Sequence, residues 1–516
     1  MIKRSILVLH RWLGVALCLF FLIWFPSGIG MMYWDFPSVS PADRLARSPA
    51  LDPAKVVLSP AQVSARLGGP PAVQVRLNTF DGRPVYRLRD ARRETIVYAD
   101  TGEEQVHVSS EMMQRIAAGW TGQPASAAKV ELMADVDQWT VQGELRRLRP
   151  LWKYSFPNGE QLYISGTSGE VVQCTTTASR MGAYLGPIPH WLYFTPLRRH
   201  QAQWSAFVIW TSGIGAITAI LGVIIGISMY SPSKRFRYGG EPTGIPYRGP
   251  KRLHMILGLI FGFAAATWAF SGMLSMDPFP ARSGGRAGGG RRGGGARIPE
   301  ALRGTVEMAA FAARHPREAL ARMPNLAVKE LELTSFAGEP VYMATADRGE
   351  TRIIPVDAAP LREFDRHRII DVVTKAAAPD GVVEIRLLSQ YDLYYLDRRR
   401  QRPLPVILAR LNDAEQTRFY IDPATARVVG TYSSRNRAAR WLYHGLHSLD
   451  FPWLYNYRPL WDIVVITFMV GGTALGVTAL ILAWGVLGRT LRDAFTWGAT
   501  SRLRPSAKPS SGGEAR

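Results

Sequence analysis

Four blocks of nearly uninterrupted apolar residues divide the chain, roughly Trp12 to Trp34, Ala206 to Tyr230, Leu253 to Met276 and Ile463 to Leu487. Each is long enough to cross a hydrocarbon core of about 30 Å at 1.5 Å per residue, and each is almost free of charge inside. A cleaved signal peptide is the bland reading of the first block. Its apolar run is too long for that, and no small-x-small site follows Pro26 to Trp34. Between the blocks the pattern changes to short β-rich runs separated by turn residues: PVYRLRDARRETIVYADTGEE after Arg83, EQLYISGTSGEVVQ after Gly159 and RFYIDPATARVVG after Thr417. These predict hairpins. Helical stretches precede them, such as PAQVSARLG after Ser59 and PEALRGTVEMAAFAARH after Ile298, so each long loop reads as α+β.

The pattern also repeats. LHRWLGVALCLFFLIWFPSG from Leu9 and LHMILGLIFGFAAATWAFSG from Leu253 match His10 to His254, Gly14 to Gly258, Trp24 to Trp268 and Ser27-Gly28 to Ser271-Gly272. PHWLYFTPLRRHQAQWSAFVIW from Pro189 aligns with LHSLDFPWLYNYRPLWDIVVIT from Leu446, matching His190 to His447, Leu192 to Leu449, Phe194 to Phe451 and Trp204 to Trp461. In the loops, FDGRPVY from Phe80 echoes FAGEPVY from Phe336, and Arg149-Pro150-Leu151 echoes Arg402-Pro403-Leu404. The expected architecture is therefore a membrane α-helical protein, a four-helix transmembrane bundle built from a tandem duplication, with two α+β domains outside. Its order is an N-terminus and first span (1–34), an outer domain (35–203), a second span (204–230), a connector (231–252), a third span (253–276), a second outer domain (277–461), a fourth span (462–487) and a tail (488–516). SGGRAGGGRRGGGAR at 283–297 cannot bury a core and reads as a linker.

Charge gives the orientation, because lysine and arginine near span ends resist translocation while long loops cross largely regardless of charge. Lys3, Arg4 and Arg11 flank the first span, Lys234, Arg235, Arg237, Arg248, Lys251 and Arg252 fill the connector, and Arg489, Arg492, Arg502, Arg504 and Lys508 lie in the tail. Both termini and the connector are expected in the cytoplasm, with the two large loops in the periplasm of a bacterial inner membrane. Trp34, Trp204, Trp461 and Trp484 are expected at the interfaces. A net charge of +21 raises the question of nucleic acid. The arginines are dispersed and no nucleic-acid module is recognisable, so no nucleic-acid partner is expected and membrane lipids account for the charge better. Cys18 and Cys174 fall in different regions and form neither a disulfide nor a CxxCH attachment motif.

Of nine histidines, His10, His190, His200, His254, His444 and His447 lie in or beside spans. His10 and His254 enter from one side at matching depth, so a twofold axis along the membrane normal sets them opposite each other. Paired imidazoles in an apolar bundle are what a b-type haem needs above and below its iron. His190 and His447 form a matching pair on the other side, each well before its span, which suggests an interfacial helix or turn. His444 shares a helical face with His447 and is an alternative ligand. His200 is another, although its repeat partner is Tyr457. A zinc site from His444, His447 and Asp450 is a competing reading, short of the usual ligand count. Gly14, Gly28, Gly258, Gly262 and Gly272 suit either close helix packing or close approach of a flat macrocycle.

The LHRWLG opening, the FDGRPVY and VYADTGE hairpin, the YHGLHSLDF segment and the QYDLYYLDRRRQRPLPV run feeding FYIDPATARVVG resemble the PepSY-associated transmembrane proteins of bacterial inner membranes, some of which are ferric-siderophore reductases. The likeness covers nearly the whole chain. It implies a membrane core holding two b haems, with PepSY-type domains outside, and electron transfer that reduces a periplasmic ferric siderophore during iron uptake. No GxGxxG follows a strand in the short pieces, so electrons are expected from the quinol pool or a separate cytoplasmic reductase. Arg398, Arg399, Arg400 and Arg402, with Tyr391, Tyr394, Tyr395 and Trp139, form a cationic and aromatic group suited to an anionic chelate. The alternative is a non-enzymatic PepSY-domain membrane protein that binds peptides or restrains a periplasmic peptidase.

Overall fold

A computed structural model describes residues 2–68, 72–90, 94–278, 297–304, 307–397 and 400–502. Arg398, Arg399 and the linker residues before Arg297 lie outside these. Four helices are long and apolar enough to cross a membrane: Ile2–Tyr33, Gln201–Met229, Gly249–Leu274 and the Leu460–Arg492 part of Leu460–Arg502. The first begins well ahead of its apolar block and continues through Pro26. Pro26 brings no N–H to the helix ladder, and the following Ser27 hydroxyl donates to the Trp24 carbonyl at 3.1 Å.

The helices form a ring. The first packs on the second and fourth, and the third also packs on the second and fourth, so the first and third stand diagonally opposed. Glycines let large rings reach the centre: a Cβ at Gly471 would meet the Phe261 ring, and one at Gly472 the Phe25 ring. Phe25 and Trp268 meet across the axis with ring centroids 6.0 Å apart.

The first long loop folds as β1 (Gln74–Phe80), β2 (Arg83–Arg89) and β3 (Glu94–Tyr98), then β4 (Lys129–Met133), β5 (Leu151–Ser155), β6 (Gln161–Ser165) and β7 (Val171–Thr175). The connector carries a short hairpin, β8 (Phe236–Tyr238) and β9 (Glu241–Thr243). The second long loop repeats the plan with β10 (Glu330–Phe336), β11 (Glu339–Thr345) and β12 (Thr351–Pro355), then β13 (Val382–Leu388), β14 (Val406–Leu411), β15 (Arg418–Asp422) and β16 (Arg427–Tyr432). The FDG and FAG turns are alike, with Asp81-Gly82 and Ala337-Gly338 all at positive φ, the conformation that matches the twist of a two-residue hairpin. The motif tyrosines act alike too. Tyr86 and Tyr342 are fully buried and donate to the Leu58 and Arg314 carbonyls at 2.8 and 2.6 Å.

The two loops are not separate domains, as the sequence led us to expect. Their first units join into one six-stranded antiparallel sheet, β12-β11-β10-β1-β2-β3, through the β1–β10 seam. Val75 and Leu77 face Leu333 and Leu331 there, and the core beneath draws Tyr86, Val97, Phe311, Tyr342 and Ile354 from both loops. On the opposite face Asn78 donates to Glu330 at 3.0 Å and Gln74 to Glu332 at 3.1 Å. The physical reason is edge satisfaction. Each three-stranded unit alone exposes an unpaired edge, and pairing those edges removes both at once. The four-stranded sheets, β4-β5-β6-β7 and β13-β14-β15-β16, stay separate. Cys18 and Cys174 are both free thiols, and burial pushes the Cys174 thiol up to about 11.

Leu331 is fully buried at the seam, so Leu331→Ala is expected to cost about 2–5 kcal/mol. Limited proteolysis of the purified variant should then open both long loops together. Selective cleavage of the second loop alone would contradict a shared core.

Candidate functional site

His10 on the first helix and His254 on the third face each other across the bundle, ring centroids 6.4 Å apart. The neighbouring helices take up their Nδ1 atoms. His10 Nδ1 lies 3.0 Å from the Thr218 carbonyl, which can only accept, so Nδ1 carries the proton. His254 Nδ1 lies 3.0 Å from Thr478 Oγ1, whose own proton goes to the Leu475 carbonyl at 2.8 Å. That hydroxyl must therefore accept as well. Both rings are left with a bare Nε2 lone pair, the form that ligates metals.

Beside this pair opens a cavity of about 590 Å³ whose wall includes Gly14, Cys18, Phe21, Gly222, Gly258 and Leu475. Gly14 and Gly258 stand one turn beyond His10 and His254 on the same faces. A Cβ at Gly14 would meet nothing within 4 Å, and one at Gly258 only Leu475 at 4.0 Å. Gly222 differs, since a Cβ there would press on His10 Cε1 at 2.8 Å. Two glycines thus leave room in the cavity, and the third makes room for the imidazole.

His190 and His447 form a second facing pair, ring centroids 6.0 Å apart. They ride on short helices, Pro187–Trp191 and Leu446–Ser448, that pack on the far ends of the first and third long helices. His190 Nδ1 lies 3.2 Å from both the Trp24 carbonyl and Ser27 Oγ. His447 Nδ1 lies 3.0 Å from Ser271 Oγ, which donates to the Trp268 carbonyl. Proton bookkeeping is the same as before: both serine hydroxyls are spent on carbonyls, so both rings donate from Nδ1 and keep Nε2 bare. The turns are pinned from behind as well. Trp204 Nε1 donates to the Trp191 carbonyl at 2.9 Å, and Trp461 Nε1 to the Ser448 carbonyl at 3.0 Å. Leu192 and Leu449 close the turns with φ of 53° and 49°, a left-handed conformation that costs a leucine roughly 1–3 kcal/mol. Both tryptophans are buried, at 7% and 3% exposure. They are structural pins rather than the interface residues expected of them, whereas Trp34 and Trp484 are exposed.

The other candidates sit elsewhere. His200 is exposed just ahead of the second long helix and offers it no side-chain cap. His444 meets Tyr443 at a tilt, ring centroids 4.8 Å apart, and lies 4.0 Å from Asp450, which Arg440 already binds. With His447 Nδ1 turned to Ser271, the zinc trio is not assembled, and among the described residues no group of three or more His, Cys, Asp or Glu has a metal-holding arrangement. Trp139 is buried against Phe36 and Tyr184 in the first loop. Tyr391, Tyr394 and Tyr395 cluster in the second loop, with Tyr395 fully buried and stacked on Tyr420 at 4.8 Å. The structure does not bring Trp139 to the tyrosines.

Both pairs are spaced as two imidazoles sharing one metal ion would be, by a simple length argument. Metal–imidazole bonds of about 2 Å on opposite sides of one ion set the two nitrogens about 4 Å apart and the ring centroids about 6 Å apart. Both observed separations meet that value. Sequence reasoning missed Ser27, Ser271, Thr218 and Thr478 as partners of the rings. The Trp-x-x-Ser repeat was visible, but its meaning depends on which ring approaches it.

Gly30 is where the first helix meets the His190-bearing segment, and a Cβ there would collide with the Leu185 carbonyl and Gly186 backbone. Gly30→Ala is expected to destabilise the detergent-solubilised protein by about 1–3 kcal/mol, read as a lower Tm; an unchanged Tm would show that this approach is not close in solution. No protein-family model and no curated protein matches the chain.

Proposed function

We propose that the chain is a haem b-containing electron-transfer protein of a bacterial inner membrane, related to the PepSY-associated transmembrane proteins and built by tandem duplication. In this reading it passes electrons to the loop side to reduce a ferric siderophore. The observation that carries it is the presence of two facing imidazole pairs, each ring with its Nδ1–H engaged and its Nε2 free. His10 and His254 would hold one haem, and His190 and His447 the other. Bound there, haem b supplies a one-electron carrier whose potential the protein sets through ligands, hydrogen bonds and burial.

The chain's own groups do the rest. The carbonyls of Thr218 and Trp24 and the hydroxyls of Thr478, Ser27 and Ser271 fix ring orientation and raise ligand basicity. Phe25 and Trp268 pack across the bundle axis beside the His190 and His447 level. From His10 to Ser27 the first helix rises about 25 Å, so the two levels occupy opposite halves of a bilayer. With both termini in the cytoplasm, a haem held by His10 and His254 would take electrons from quinol or a separate reductase, and one held by His190 and His447 would give them up on the loop side. Each ferric ion accepts one electron and becomes ferrous, a poorer match to hard oxygen donors, and the chelator releases it.

A second reading rests on the edges of the four-stranded sheets. β4 and β13 each pair on one side only and expose Val130 and Leu132, and Val383, Ile385 and Leu387. Such edges accept an extended peptide as an added strand. That supports a peptide-binding module, or one that restrains a periplasmic peptidase.

Absorption spectra and pyridine-haemochrome assay of protein from haem-replete cells distinguish the two. The expected result is a b-type spectrum with about two haems per chain, falling to about one in His10→Ala or His447→Ala. Colourless protein would overturn the electron-transfer reading in favour of peptide binding.

A further inference from the structure

The cavity beside His10 and His254 is chemically one-sided. Its depth is apolar or small, with Val15, Cys18, Phe21, Phe25 and Ala265, whereas Arg4, Arg11, Lys251 and Arg489 contribute cations from the end that carries both termini. None of its described lining residues is acidic. Arg11 follows His10 directly, and Lys251 stands one turn before His254, so two of these cations are built into the segments that present the imidazoles. An occupant that matches has a flat apolar body and negative groups along one edge. Haem b answers to that, since its two propionates leave the same side of the macrocycle. Carboxylates driven the other way would enter the bundle centre, where an unpaired charge costs several kcal/mol.

We propose that Arg11, Lys251 and Arg489 bind the carboxylate edge of the inner macrocycle and thereby fix its orientation, with that edge facing the side of the termini. This rests on the haem reading above and adds what that reading leaves open: which way round the group lies, and which side chains besides the ligands hold it. The guanidinium groups are the chemistry of choice, because a planar fork meets a carboxylate with two parallel hydrogen bonds. Anionic lipid headgroups offer the same cations a competing negative partner at this surface.

The test compares haem with its dimethyl ester, which keeps the iron and ring but lacks both charges. Full-length haem-free protein carrying His190→Ala, so that only the inner site remains, is placed in nanodiscs of zwitterionic phosphatidylcholine and titrated with each porphyrin by absorbance. We expect the ester to bind about ten-fold more weakly or worse, and the difference to vanish in Arg11→Gln/Lys251→Gln/Arg489→Gln. Arg11→Lys/Arg489→Lys, which keeps the charges, is expected to preserve much of the preference and guards against a folding artefact. Equal affinity of haem and ester for the unaltered mouth overturns the inference while leaving the haem reading intact. A preference that survives in the triple glutamine variant also overturns it, and if that variant loses only its affinity for phosphatidylglycerol discs, the mouth is a lipid site. Failure of both porphyrins to bind at all overturns the haem reading together with this one.

Discussion

An imidazole inside a bilayer must give its N–H to something. Water is absent there, an unpartnered donor costs a few kcal/mol, and the nearest acceptors are helix carbonyls already used in the ladder and hydroxyls of serine and threonine. This chain solves the problem four times. Two rings are answered by residues of adjacent long helices, Thr218 and Thr478, and two by the Trp24–Ser27 and Trp268–Ser271 steps of the helices they lean on. Once Nδ1 is committed, Nε2 of each ring keeps its lone pair, and the rings stand as the facing pairs His10–His254 and His190–His447. Helix spacing, glycine placement and the pinned turns all serve that outcome.

Much of this was legible in the sequence because it depends on local pattern. The apolar blocks mark the long helices, since length and lack of charge suffice to identify them. The Asp81-Gly82 and Ala337-Gly338 turns mark the hairpins, since their backbone needs positive φ. The histidine repeat marks which rings stand in equivalent places. What stayed hidden depends on pairing between distant segments. Nothing in QVRLNTF or ELELTSF says that each strand takes the other as a neighbour, because an edge strand and a central one carry the same alternation. Trp204 and Trp461 look like interfacial residues from their position at the start of a span. Only the folded chain brings the Trp191 and Ser448 carbonyls under their indoles. Tyr395 likewise reads as a surface aromatic among arginines, and becomes core because Tyr420 and Gly430 form a slot for it.

The shared sheet also links the two halves of the chain. Each long loop leaves one helix and returns to the next, and the β1–β10 seam joins the two loops to each other. The short helices carrying His190 and His447 come after the last strands of the two four-stranded sheets, β7 and β16, and pack on the first and third long helices.

The two histidine levels are held by different means, and the difference has consequences. His10 and His254 project from long helices, so their separation is a property of bundle packing and changes only if whole helices move. His190 and His447 project from short turns whose positions rest on two indole hydrogen bonds and two left-handed leucines. Such turns give way at lower cost than a buried helix, because fewer apolar contacts are lost when they open. The level nearer the long loops is thus the adjustable one. On the electron-transfer reading proposed above, that is also where a bulky acceptor would approach, while the level beside the termini keeps its geometry.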